Sequence, residues 1–508
     1  MEQLLHVSAF NHFFLAMSIV ITMVLVSRAV VAGTKYSSLL LIVVFGLAMG
    51  SLLVHSGMAG PGLAEFPAIL LVGQTTVIAL IASFFVGGQE INRLLSKKQH
   101  SDDHFVPSQE EAIVGTSSTQ LVYIIRAFFL LIGIEATYVL LSGRALNFPL
   151  GDSYLLLAYI SLVVAIIFID NKAKFASKQV YIRKGLAEIV AIVLVLKASL
   201  FLSSMVESVI ALPQIFFAMI LSSGLGALMP KWKLGPTMNA LLFAGIPVVL
   251  AASFLVGGSH MIEAFSLPGL QSVMLFGFSG QIFWMFGGLA LLIFLGQANH
   301  VRNLAPGMAG GLSHSGLTGA CNAGDFGATA ASRAPIMINV PFIGHIFVFT
   351  ILAASAERGS IMLQWTLPLI AAGIAFVALA LKTLRGANGE AATEVKGLMQ
   401  FSLGWQIIAV FGSFTALNVA GMSLDHVSMS ASSAMSHFGL FAAIQNGMFG
   451  DSAASLITFT FAMTFLVHPL VFGLFGRATE NQGRMAEKVV FGLAAIGLTG
   501  VLYSLFTI

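Results

Sequence analysis

Ser313-His314-Ser315-Gly316-Leu317 recurs downstream as Ser436-His437-Phe438-Gly439-Leu440, and the match continues without a gap. Gly324, Phe326 and Gly327 pair with Gly447, Phe449 and Gly450. Ala330-Ala331-Ser332 pairs with Ala453-Ala454-Ser455, His345 with His468, and Val348-Phe349 with Val471-Phe472. Upstream, with a small shift, Asn299-His300-Val301 is similar to Asp425-His426-Val427. Two aligned histidines and a shared Gly-x-Phe-Gly are more than apolar low-complexity sequence yields by chance. The stretches 299–335 and 423–451 that hold these motifs are rich in Gly, Ser and Ala. They are too polar for plain membrane spans and read as re-entrant or broken helices, which are tolerated at membrane depth only where protein or water satisfies the backbone.

The rest of the chain makes that reading necessary. Of 508 residues, 57% are hydrophobic and only 9% charged, against about 25% charged in a soluble domain. Apolar runs of about 20 residues recur throughout, the length of a helix across a bilayer. No alternation of the transmembrane-barrel kind is present. Spans are expected at 12–32, 38–56, 66–88, 120–142, 153–170, 186–205, 211–229, 237–257, 270–297, 336–354, 362–381, 402–421, 452–475 and 488–507. The N-terminal run Phe13–Val26 lacks a basic leading segment and is read as the first span.

Basic loops follow alternate spans: Arg28 and Lys35; Arg93, Lys97 and Lys98; Lys172 to Lys184; Lys231 and Lys233; Arg302; Lys382, Arg385 and Lys396; Arg477, Arg484 and Lys488. With about fourteen spans they all lie on one side, the cytoplasmic one, and both termini lie outside. The first Gly/Ser-rich copy then enters from the cytoplasm and the second from outside, so the repeat is inverted. Ala82-Ser83-Phe84-Phe85-Val86-Gly87-Gly88 and Ala252-Ser253-Phe254-Leu255-Val256-Gly257-Gly258 form a weaker inverted pair. The expected fold is thus an all-α polytopic membrane protein with two re-entrant hairpins related by inverted-topology repeats. Its parts are a bundle over 1–297 containing the weaker repeat (38–95 and 212–265), a first hairpin repeat over 298–355, connecting spans over 356–422, a second hairpin repeat over 423–475 and a last span over 476–508. The expected location is a bacterial-type inner membrane. Inverted repeats with interrupted helices point to a solute site near the midplane and to alternating access.

Gly311-Leu312-Ser313-His314-Ser315-Gly316, before a run of small residues, resembles motifs of the glutamate:sodium symporters, and Leu71–Asn92 resembles early spans of cation/proton antiporters. The resemblance implies an elevator-type secondary transporter. The chain departs from the symporters in its greater number of spans and in carrying both hairpins in its C-terminal half, so no substrate is carried over.

Ionisable groups inside a membrane are costly and are functional candidates by default. Asp325, in Asn322-Ala-Gly-Asp-Phe-Gly, and Asp451, in Asn446-Gly-Met-Phe-Gly-Asp-Ser452, each have amide, hydroxyl and glycine carbonyl oxygens nearby in sequence. Such oxygens suit sodium or a proton; the alternative is that each aspartate caps a half-helix. Thr329, Ser332 and Ser455 complete the expected ligand set with Ser313 and Ser436. His314 and His437 relay protons, bind a carboxylate, or pin the hairpin tips. Arg333 holds an anion or anchors the cytoplasmic end. Glu135 and Lys197 are buried charges with pairing open, and Arg126 is placed to snorkel.

The function expected is non-enzymatic: transport of a small anionic solute or ion coupled to sodium or protons, with no other cofactor and no nucleic acid. The partners are the substrate, the lipid bilayer and a second copy of the chain. Two alternatives stand beside it. One is a redox membrane protein binding haem or metal through the histidine pairs 300/426, 314/437 and 345/468. The other is a proton-conducting subunit of a membrane complex. A phosphate-binding loop of the GxxxxGK[ST] type is absent, which disfavours direct ATP drive.

Overall fold

The computed structural model describes residues 2–32, 38–95, 117–142, 175–206, 214–262, 270–300, 361–387, 391–421 and 484–507. All regular structure among them is helical: α1 (Glu2–Val31), α2 (Ser38–His55), α3 (Pro67–Gln74), α4 (Thr76–Leu95), α5 (Ser117–Leu141), α6 (Phe175–Val206), α7 (Gln214–Leu228), α8 (Pro236–Ala240), α9 (Ile246–Ser259), α10 (Leu270–Phe294), α11 (Ile361–Arg385), α12 (Ala391–Val419) and α13 (Arg484–Thr507). A π-turn, Leu241–Gly245, joins α8 to α9, and a 3₁₀ turn, Ala298–His300, follows α10.

Nine helical stretches among the described residues are long and apolar enough to cross a membrane. Leu41–His55 and Gln214–Leu228 are shorter and also apolar. The chain is therefore a multi-pass membrane protein by length and composition. The outward faces agree, since Leu194, Phe201, Leu367, Ile496 and Phe506 are exposed, an arrangement that is costly in water and favourable against acyl chains. The expected spans 153–170, 336–354 and 452–475, and both hairpins, lie outside the described residues.

The chain divides into two compact units. The first comprises Met1–Ala32, Leu41–Gln89 and Pro107–Ile262. Its innermost stretches are Pro67–Arg93 and Pro236–Ser259, each 78% buried, against 33% for Ile182–Val206. Phe66, Phe84, Phe128 and Phe254 fill this core. Helix α2 stops at Gly57 (φ 71°), where Gly57 N–H bonds Val54 O and Met58 N–H bonds Leu53 O. Both bonds need the left-handed conformation that glycine takes at no steric cost.

The second unit comprises Gly33–Leu40, Glu90–Val106 and Glu263–Ile508. In it α10 packs on α13 and α11 on α12. Small residues let backbones touch without an intervening side chain: Gly373 and Gly404 oppose each other, and Gly497 lies on Phe283. Trp405 Nε1 donates to Trp284 O (2.6 Å), and Trp284 Nε1 donates to Ser413 Oγ (3.1 Å). Both indoles thereby satisfy their single donor within the unit.

Candidate functional site

The two innermost stretches of the first unit, expected from sequence as the spans 66–88 and 237–257, each form one candidate membrane span, Pro67–Arg93 and Pro236–Ser259, and each carries a local irregularity. Each opens with a proline in its first turn, Pro67 and Pro236, where a missing N–H costs nothing. The first has a turn at Thr75 (φ −83°, ψ 20°). Its carbonyls are taken locally: Thr75 Oγ1 donates to Val72 O (2.6 Å), and Thr76 Oγ1 donates to Gly73 O (3.4 Å). Both threonines are fully buried.

The second irregularity is a π-turn within a continuous helix, whose flanking residues Ala240, Gly245 and Ile246 all keep right-handed helical dihedrals. Pro247 lies in the first turn of α9 and has no N–H. The carbonyl four residues earlier, Phe243 O, thus loses its α-helical donor inside the π-turn. Arg28, from α1, donates Nη2 to Phe243 O at 2.5 Å. At the start of this helix the Glu188 carboxylate, from α6, accepts the N–H groups of Gly235, Thr237 (3.1 Å) and Met238 (3.1 Å). Thr237 Oγ1 also donates to Gly185 O at 3.0 Å. Pro236 has no N–H to offer, so Glu188 meets the available donors of the first turn. Its negative charge lies at the positive end of the peptide dipoles. Glu188 is 2% exposed.

The two helices run antiparallel. A methyl group on Gly73 would lie 3.8 Å from Ser253 Oγ, and one on Gly245 would lie 3.4 Å from Ala79 Cβ. Each is flanked by a parallel helix at backbone contact. Gly46 and Gly50 of α2 meet Phe254 and Leu255 of α9, and Gly258 meets Leu47 O. Gly226 of α7 meets Phe85 O of α4, and Gly88 meets Ser223 O. The helix ends are tied correspondingly. Gly62 N–H donates to Ser259 Oγ (2.9 Å) beyond α2 and α9. Gln89 Nε2, near the end of α4, donates to Met229 O and Trp232 O (2.9 Å each) just beyond α7.

Further charges surround the π-turn. Tyr123 of α5 packs against Phe243 with ring centroids 5.7 Å apart and planes tilted by 53°, and the Arg126 guanidinium lies 5.9 Å from the Tyr123 ring. Arg126, expected to snorkel, is only 4% exposed. Lys184 lies 5.4 Å over the Trp232 ring, a cation–π contact at the start of the same helix.

Of the residues expected from sequence to bind substrate or ion, Ser313, His314, Asn322, Asp325, Thr329, Ser332, Arg333, Ser436, His437, Asn446, Asp451, Ser452 and Ser455 lie outside the described residues. Glu135 is half-buried in α5. Lys197 reaches the C-terminus of that helix, donating to Leu141 O and, at 3.3 Å, to Ser142 Oγ, where a cation complements the helix dipole. His300 is within 2.9 Å of Glu394 Oε1 in the second unit. Among the described residues no three or more His, Cys, Asp or Glu side chains are grouped as a metal site would need. Sequence reasoning missed Glu188, Arg28 and the two irregularities. The available signals were the prolines: Pro236 after Gly235, and Pro247 after Gly245-Ile246. No protein-family model, curated protein or solved structure matches the chain.

Proposed function

We propose that the chain is a secondary active transporter for a small anionic solute or ion, coupled to sodium or protons, working by alternating access. One observation carries this reading: the exchanged contacts between 38–95 and 212–265. Gly88 and Gly258 occupy the same place in the matched heptapeptides, as do Phe85 and Leu255. Gly88 meets α7 as Gly258 meets α2, and Phe85 meets Gly226 as Leu255 meets Gly50. The first helix of each segment thus lies parallel to the second helix of the other, while the two second helices cross antiparallel. That is the pattern expected of inverted repeats, and the interface between such repeats near the midplane is where transporters of this build hold solute.

Charge supports the orientation. Gln89 of α4 bonds Trp232 O between Lys231 and Lys233 in the sequence after α7, whereas the loops beyond α2 and α9, residues 56–66 and 259–269, contain no lysine or arginine. The α4–α7 end is the cytoplasmic one under the positive-inside rule. In this proposal about fourteen spans sit in an inner membrane with both termini outside. Asp325 and Asp451 serve the coupling ion, and the motifs from Ser313 and Ser436 contact the solute.

The test is reconstitution in liposomes with sodium and pH gradients imposed separately, a pH-sensitive dye inside, and Asp325→Asn and Asp451→Asn alongside. Gradient-driven proton movement, or sodium-dependent solute uptake from a panel of small organic acids, is the expected result, lost in at least one variant. Flux that persists unchanged in both variants removes the aspartates from the mechanism. A haem-like absorbance band in the purified protein would replace the transport reading with a redox one.

A further inference from the structure

We propose that Arg28 is a positioning residue that stands in for the amide Pro247 lacks, and that Arg28 and Glu188 together hold the segment 236–245 of this helix as a charge-clamped element. This inference rests on the transporter reading only for the use made of the clamped segment; the clamp itself follows from the contacts.

Three observations converge on it. First, Pro247 removes the donor that would close the helix onto Phe243 O, and Phe243 lies inside the π-turn. An unsatisfied carbonyl at membrane depth is costly, so Phe243 O needs a donor from elsewhere. Second, that donor is a guanidinium from another helix, Arg28 Nη2, which makes no ion pair with any described residue. At the start of the same helix a carboxylate is favoured by the dipole, and Glu188 supplies it. Third, the corresponding segment 67–74 is held differently. Its start at Phe66 has no side-chain cap, and its carbonyls go to the neighbouring Thr75 and Thr76 hydroxyls. The helix 236–259 is therefore clamped from α1 and α6. The clamped segment is the fixed part of that helix during alternating access.

The decisive experiment is a double-mutant cycle between positions 28 and 247, read as apparent melting temperature of the full-length protein in detergent. Arg28→Gln is expected to lower the midpoint by several degrees in the Pro247 background and by less than half as much with Pro247→Ala, because the alanine amide can close onto Phe243 O. Arg28→Lys, which keeps a cationic donor, is expected to retain most of the wild-type midpoint. Equal effects of Arg28→Gln in the two backgrounds would mean an interfacial anchor, and no effect in either would mean an idle contact; both outcomes overturn the clamp. Should Pro247→Ala fail to fold, Arg28→Lys against Arg28→Gln still decides, since a clamp requires the lysine to be the milder change. The readout needs no flux, so failure of the clamp and failure of the transporter reading are separable. If both hold, Pro247→Ala with Arg28→Gln folds but loses gradient-driven flux at least tenfold.

Discussion

Removing the Glu188 carboxylate should unfasten the start of the helix 236–259. The side chain is 2% exposed and takes three backbone N–H groups, those of Gly235, Thr237 and Met238. Hydrogen bonds to a charged group are each worth about 1.5–3 kcal/mol, and a buried donor left unsatisfied costs about 1–3 kcal/mol. The three bonds share one carboxylate and are not additive, and water reaches some of the freed donors. Glu188→Ala should therefore cost about 3–5 kcal/mol. Glu188→Gln keeps one acceptor oxygen but turns an amide N–H₂ toward a backbone donor, so about 2 kcal/mol is expected. Gly235→Ala should behave like Glu188→Gln, because its Cβ would lie 2.7 Å from Glu188 Oε1 and push the carboxylate off the helix start. The control is Glu65→Ala, whose carboxylate accepts from Gly60 N–H at 3.1 Å in an exposed loop and should change stability by less than about 0.5 kcal/mol. The assay is the fraction of monodisperse protein surviving a temperature ramp in detergent, compared at equal ramp rates because unfolding of such proteins is often irreversible. If Glu188→Ala melts with Glu65→Ala, the carboxylate does not cap the helix and the reasoning fails.

Two further outcomes follow from the same packing. Gly88→Val and Gly226→Val should abolish monodisperse protein, since each Cβ would overlap a neighbouring backbone carbonyl, whereas Gly224→Ala, with open space around it, should be neutral; fluorescence-detected size exclusion distinguishes them, and a well-behaved Gly88→Val would disprove the close α4–α7 crossing. With Cys321, the single cysteine, replaced by alanine, Lys233→Cys should react with a membrane-impermeant thiol reagent only in inside-out vesicles and Met58→Cys only in intact cells; labelling of both from one side would refute the inverted arrangement.

Much of the architecture is legible in the chain. Helix, membrane and approximate span positions follow from apolar runs and scarce charge, because lipid leaves a backbone no alternative to internal hydrogen bonds. Gly88 and Gly258 were readable only as small residues of uncertain use. Their meaning came from what they touch, Ser223 and Leu47, and no local pattern encodes a neighbour so distant along the chain. The irregularities were hidden for a related reason. Thr75 sits in a strongly apolar run without any glycine or proline at the turn itself, and Pro247 sits in a window whose hydropathy reads as an ordinary span.

Sequence by itself determined that this chain lives in a bilayer as helices, and it proposed paired segments. Tertiary structure alone decided that the two innermost helices carry a turn at Thr75 and a π-turn at Leu241–Gly245, and that the second is held by Glu188 and Arg28 from other helices. The physical reason is that hydropathy is a property of the residues present, whereas the partner of a backbone group without its own donor or acceptor is chosen by whatever helix packs beside it.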